Sequence, residues 1–464
     1  MEKAVGEEPE AALVGPTCLT PPQAQVLSHQ TFDYIDPTLL LPSEPQELLV
    51  SMELGGLYNT EEQSLLGAFL SPQSQAGSLS ARLDLLELHV AAHANSIDRY
   101  RNSFDAIAFR RFFSVSNVKE FAMIFCRKRH YQYPVVHWPT FALEQASLPL
   151  MMVISLTGAT YSYRPGHGSE NITDARNFYH LADSYIFHEL KIFVDNLPSG
   201  RDLSEAVELC QAALLMYALD TLLASDLDMQ QLAVTERLPT LISAMRRLHF
   251  IGCRHHPSED WELFLRREHI IRLVSWAFCA DCLATLSCNN PPIFSMLEMS
   301  GDLPCDPTLW DTDSVLTFEL TKLSPQKTSY CLKELISKLL EENWRADIEW
   351  ENLPLFHLHM MLCAFQHIIF NLHVAMFLKQ QSDKLLQTLD IWRHLWERAL
   401  ERIPNDHRKW LGVAKNVPDI EYLSRRVIEI AASPEASSSR YLQRLPSRGA
   451  RDIHDFIKDF ISKK

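Results

Sequence analysis

A chain of 464 residues with 47% hydrophobic residues holds enough apolar material for a large interior or an extended helical array. Its 43 basic residues stand against 58 acidic ones, a formal net charge of -15, so the chain as a whole repels phosphate and has no broad basic surface for nucleic acid. The ten cysteines follow no disulfide-framework spacing, and Met1-Glu2-Lys3 leads into acids instead of an apolar secretory run, which points to a reducing compartment.

The first 60 residues contain nine acids (Glu2, Glu7, Glu8, Glu10, Asp33, Asp36, Glu44, Glu47 and Glu53) against one base, Lys3, with prolines throughout. Such a composition buries too little surface to offset its ordering entropy, and disorder is expected over residues 1–82. Inside it, Phe32-Asp33-Tyr34-Ile35-Asp36-Pro37 and Leu39-Leu40-Leu41 mix acids with bulky apolar groups. Two readings stand side by side: an activation segment whose charge keeps aromatics exposed for a partner groove, and a linker with a few adhesive residues.

A serine-rich link, Ser71 to Ser80, marks a boundary, and helical periodicity begins at Leu83 with Leu85, Leu86, Leu88 and His89. Val118 to Phe141 and Met151 to Tyr163 come next, and amphipathic helices are read at Asp174 to Phe193 and Leu203 to Leu223 (capped by Asp202 or Ser204), the array continuing through Leu232 to Leu248. Gly158 and Ala159 permit close helix packing. From Phe264 the apolar residues recur at Ile271, Val274, Phe278 and Cys282, and a second stripe, Ile270, Leu273 and Ala277, widens the face to that of a largely buried helix. Asn289-Asn290-Pro291-Pro292 stops it, and Ile293 to Trp310 is predicted as an ordered, irregular strap. Leu332 to Leu340, Leu355 to Leu378, Leu385 to Arg402 and Ile420 to Ala432 are helical by period. Serine-rich Ser433 to Pro446 is expected to be loose before a short helix, Ile453 to Ile461.

No polar–apolar alternation is long enough for a sheet, so the predicted fold is all-α, an extended helical array over residues 83–432 with a loose tail at 433–464. Ala206 to Ala224 is interrupted by Glu208 and Asp220, and Leu353 to Leu378 carries four histidines; both read as core helices, and no membrane span is expected.

Several of these segments carry a resemblance. Tyr133-Pro134-Val135-Val136-His137-Trp138-Pro139-Thr140-Phe141, Leu214-Leu215-Met216-Tyr217, then Arg266, Arg267, Glu268 and Arg272, Trp276, Phe278 and Asp281, Asn290-Pro291-Pro292, Leu303-Pro304-Cys305 and Leu309-Trp310 are similar to the middle homology region of fungal transcription factors, also named after the xylanolytic activators. That core spans about residues 95–310. Trp410-Leu411 with Pro418 to Val427 resembles the family's tail helix. The Leu-Pro-Cys and Leu-Trp pieces resemble the branch that reads DNA with a pair of two-cysteine, two-histidine zinc fingers. The resemblance implies a nuclear regulator of RNA polymerase II transcription, with DNA, a coactivator or corepressor, a small inducer or a second copy as partners. The family's zinc ligands have no counterpart in this sequence. A finger-less cofactor or ligand-sensing partner of another factor is the alternative, and a metal-dependent helical enzyme is a weaker one.

Cys279-Ala-Asp-Cys282 with Cys288 lacks the histidine pair of a finger and the further cysteines of a binuclear cluster, so core packing is the favoured reading. His359, Cys363 and His367 recur every four residues, with His357 and His373 nearby, but share their helix with Phe356, Met360 and Phe370; core packing is favoured there too. Cys253, His255 and His256 form a weaker group in a loop. Asp281 lies on the apolar stripe and must be paired or hydrogen bonded, with Arg246, Arg247 or another arginine as candidate partners. Arg127-Lys128-Arg129 reads as a solvated helix edge. There is no phosphate loop, nucleophile elbow or dinucleotide fingerprint, Gly166-His167-Gly168 following a helix and not a strand. The expectation is a non-enzyme with no catalytic residue, no metal ligand and no cofactor held by this chain.

Overall fold

Apolar stripes of helical period are buried by packing helix on helix, and the fold is all-α. The computed structural model describes residues 76–101, 103–127, 134–162, 170–197, 203–223, 227–323, 329–345, 348–405, 408, 412–447 and 449–461. The acidic stretch around Phe32 to Leu41, Lys128, Arg129, Tyr133, Gly166 to Gly168, Asp202, Trp410 and Leu411 lie outside them. Among the described residues no strand forms, and Asp302 and Cys331 make an isolated antiparallel bridge.

The first layers comprise α1 (Ala76–Ser96), α2 (Ala106–Phe112), α3 (Val115–Phe125), α4 (Leu148–Thr160), α5 (Glu170–Asp195) and α6 (Leu203–Leu223). They are followed by α7 (Leu227–Leu232), which runs through a π turn at Ala233–Arg237 into α8 (Leu238–Arg247). Local chemistry sets the starts: the Asp105 carboxylate accepts from Ile107 N and Ala108 N, and the Ser114 hydroxyl from Asn117 N. Helix α4 is buried on every side and touches α3, α5 and α6. A Cβ on its Gly158 would fall 1.9 Å from Phe121 O, so the α3 and α4 backbones touch where that side chain is absent.

Helix α9 (Trp261–Cys288), 28 residues long, starts where the Asp260 carboxylate accepts from Leu263 N. It ends at Asn289, which takes the left-handed conformation at φ 51° one residue before the Asn-Pro-Pro run. Beyond it the strap leads through α10 (Pro307–Trp310) and α11 (Val315–Lys322) to α12 (Leu332–Leu339), α13 (Leu355–Val374), α14 (Leu378–Glu401), α15 (Val417–Ala431) and α16 (Arg451–Phe460). Helices α6 and α8 pack on α9 from the earlier layers, and α13 and α16 pack on it from the later ones. Helix α9 is therefore shared by both parts of the array, and one continuous apolar core runs from Leu79 to Ile461. Both α9 and α13 are long and apolar enough to cross a bilayer, yet other helices enclose each of them.

Four details differ from the pattern in the sequence. Helix α1 already begins at Ala76, with Leu79 buried, inside the stretch read as a serine-rich link and as disordered to residue 82. Leu355 to Leu378 is not one helix: Met376 turns left-handed at φ 63°, Phe377 N donates to Leu372 O, and α14 begins at Leu378, a reversal that apolar period alone does not register. Residues 433–447 are tied down in spite of their serines. Tyr441 Oη donates to Leu286 O at 2.8 Å, Asn289 Nδ2 to Tyr441 O at 2.9 Å and Ser447 N to Cys288 O at 2.8 Å. Helices α2 and α11 were not read from the sequence, α2 offering only seven residues and α11 a weakly amphipathic eight.

Gly158→Ala is expected to force α3 and α4 apart and cost about 1–3 kcal/mol. Urea unfolding measures this, and an unchanged midpoint would mean that the two backbones do not touch there.

Candidate functional site

Glu268 and Arg272 stand four residues apart on α9 and both point inward, the first with no exposed surface and the second 5% exposed. Charges so placed must be paired and fully hydrogen bonded. Arg272 Nε donates to Glu268 Oε1 at 2.6 Å, Cys305 N to the same oxygen at 3.0 Å, and His255 Nε2 lies 2.8 Å from Oε2. The second ring nitrogen of His255 is 2.8 Å from Glu259 Oε1, and Arg267 closes on Glu259 at 3.1 Å. Burial works to raise the Glu268 carboxyl, yet Arg272 and then His255 hold it below the ordinary glutamate value. Burial likewise disfavours the imidazolium of His255, and Glu268 with Glu259 outweighs it, raising that pKa.

The far side of Arg272 gathers the rest of the clasp. Its guanidinium lies 4.2 Å from the centre of the Trp310 ring and reaches Pro134 O and Cys305 O at 3.4 Å each. His137 Nε2 donates to Trp310 O at 2.7 Å, leaving Nδ1 to accept from the Thr140 hydroxyl at 2.7 Å. His269 packs its edge against Trp310 and donates Nδ1–H to Leu265 O, and burial pushes its pKa down to about 4, so the ring is neutral. Pro134, His137, Glu268, Arg272, Cys305 and Trp310, scattered over the resembling segments, thus gather around the buried Glu268–Arg272 pair and the Trp310 ring.

Asp281 fastens the other end of the strap. It is fully buried and accepts from Ile293 N at 2.9 Å and Phe294 N at 2.8 Å. Of the two alternatives, hydrogen bonding holds and the candidate arginines are engaged elsewhere: Arg246 donates to Ile293 O and pairs with Glu298, and Arg247 pairs with Asp195 on the surface. Two backbone amides released by the Pro-Pro break serve as donors because they are the unsatisfied groups nearest the end of α9. Burial raises the Asp281 carboxyl to about 6 in spite of these bonds.

Helix α13 brings the histidine group against α9. His359 packs by Trp276 and Phe356, and Cys282 Sγ lies 3.2 Å from His367 Nε2. Cys279 Sγ is 3.2 Å from Met360 Sδ and 3.9 Å from Cys363 Sγ. His357 Nε2 donates to Pro304 O of the strap, His373 Nδ1 accepts from Arg444 Nε, and Cys288 stays apart beside Ser287. His256 meets Ser258 at the surface. Between the strap and α9 a cavity lined by Phe250, Ile271, Val274, Met299 and Leu332 has room for about one water molecule, far less than an inducer needs.

Sequence reasoning missed His255 as a partner of Glu268 and Glu259 as the acid on the second ring nitrogen of His255. The one available signal was the Glu268–Arg272 spacing, which marks an ion pair only once the helix face is known to be buried.

The fold and the clasp define a helical domain whose chemistry-bearing residues hold segments of the chain to one another. The chain belongs to the family of the fungal specific transcription factor domain, whose model matches residues 122–403. It is similar to the transcription factor verF of Penicillium polonicum, 23% identical over 315 residues covering 63% of this chain. The chain spans 42% of that relative's length. No solved structure matches.

A carboxyl raised from 3.8 to about 6 on folding stabilises the protein below the unfolded value and loses that contribution as pH rises through the folded one. His367, 3.6 Å away with its pKa pushed down to about 4 by burial, acts in the opposite sense. The difference between wild type and Asp281→Asn isolates the carboxyl. The variant is expected to gain on wild type by up to about 3 kcal/mol between pH 4 and pH 7 in urea titrations, and a pH-independent difference would contradict the buried carboxyl.

Proposed function

We propose that this chain is the helical regulatory part of a fungal transcription regulator, acting in the nucleus on RNA polymerase II transcription and not as an enzyme. The carrying observation is the family match over residues 122–403, which takes in the clasp and its strap. The site chemistry agrees: buried acids are spent on holding segments of chain, with Glu268 and Asp281 fully occupied by protein donors. DNA contact belongs to a zinc module of the two-cysteine, two-histidine type, whose ligand spacing this sequence does not contain. The net charge of -15 fits a body that meets protein partners, and a coactivator or corepressor, or a second copy, is the partner class.

The activation surface in this reading is the acidic-aromatic stretch Phe32 to Leu41, and the body from Leu83 onward masks or presents it. Fused to an unrelated DNA-binding module, residues 1–60 are expected to activate a reporter, Phe32→Ala with Tyr34→Ala to abolish activation, and the full chain to be weaker than the segment. A silent segment beside an active body would move the activation surface onto the helices; silence of both would contradict the regulatory reading.

A further inference from the structure

Two groups that core packing explains when each is taken alone become one cluster when α9 and α13 meet. Helix α9 supplies Cys279, and α13 supplies His359 and Cys363 one turn apart. One donor atom from each of the three lies within 4.8 Å of the other two, and all three side chains are buried. The two sulfurs stand 3.9 Å apart. A tetrahedral ion with bonds of about 2.3 Å to sulfur and about 2.0–2.1 Å to nitrogen needs donors separated by roughly 3.5–3.8 Å, so small side-chain shifts complete the site. Met360 Sδ, 3.2 Å from Cys279 Sγ, is a fourth soft donor beside the three.

A second observation points the same way. His359 is 5% exposed, and its buried Nδ1 has no hydrogen-bond partner among the described residues. A buried polar nitrogen left in this state is costly, and the same imidazole lies against the Cys363 thiol inside the cluster.

We propose that Cys279, His359 and Cys363, with Met360 beside them, bind a zinc ion between α9 and α13. The site differs from any DNA-reading finger: its ligands come from two long core helices, and it pins the shared helix to the later layers of the array. Charge selects the metal. Binding releases the two thiol protons to solvent and leaves two thiolates and a neutral imidazole around a divalent cation, a neutral assembly in an interior where net charge is strongly penalised. Cuprous ion in the same cage leaves a net negative charge. Enclosure by other helices means that the ion enters during folding.

The test uses the full chain, produced in zinc-supplemented medium and purified under reducing conditions without chelator, with metal content read by mass spectrometry. The expected result is one zinc per chain that resists chelator in the native state and is released on unfolding. Cys279→Ser and Cys363→Ser should each lose it, and Cys288→Ser, a buried thiol of α9 outside the cluster, should keep it. Should the cluster variants fail to fold, refolding wild type with cobalt(II) is expected to give the thiolate-to-cobalt charge-transfer band of a tetrahedral site. Folded, reduced wild type without stoichiometric zinc overturns the proposal. So do zinc retained in both cluster variants, copper in its place, or a Cys279–Cys363 disulfide in freshly alkylated protein.

Discussion

The ion pair of Glu268 and Arg272 sits where water does not reach, and the desolvation of two charges is tolerated only when every lone pair and proton finds a partner. Those partners are the His255 ring, the Cys305 amide, the Pro134 and Cys305 carbonyls and the face of Trp310. They come from three stretches of chain far apart in sequence. Any arrangement that brings apolar faces together but leaves one of these stretches out of place strands a charge in the core. A buried pair of this kind adds little net stability over apolar side chains, and its value here is in fixing which segments meet.

Asp281 applies the same logic thirteen residues further along α9, with the amides of Ile293 and Phe294 as donors. The strap is thus fastened at both ends to the helix it crosses. In between, Asp302 N donates to Cys253 O and Leu303 N to Tyr330 O, while a Cβ on Gly301 would fall 2.6 Å from Cys253 O. Helix α9 also joins the earlier layers to α13 and α16, so whatever moves the strap acts on both parts of the array. A regulatory domain needs such a common element if a partner met at one place is to be sensed at another.

Much of this was legible from residue spacing. The stripe from Phe264 to Cys282 placed α9, the Asn-Pro-Pro run placed its end, and the missing alternation gave an all-helical fold; the resemblance named the family that the match over residues 122–403 bears out. Buried partnerships were not legible, because they depend on which faces meet. Asp281 was expected to be paired or hydrogen bonded, but only the structure shows that backbone amides freed by the prolines, and not Arg246, Arg247 or another arginine, supply the donors. His255 looked like a stray loop histidine until the loop was seen to fold back over Glu268. Cys279 and Cys363 are 84 residues apart, and no local window contains both.

The most direct test of the claim that buried acids fasten the strap to α9 is native-state hydrogen exchange followed by mass spectrometry. The amides of Ile293, Phe294, Leu303 and Cys305 lie in irregular backbone, where exchange is ordinarily fast unless the segment is held. If Asp281, Glu268 and their neighbours hold the strap, peptides covering residues 293–305 will exchange as slowly as those of α9 and in the same cooperative opening. Rapid exchange of the strap while α9 stays protected would contradict the account.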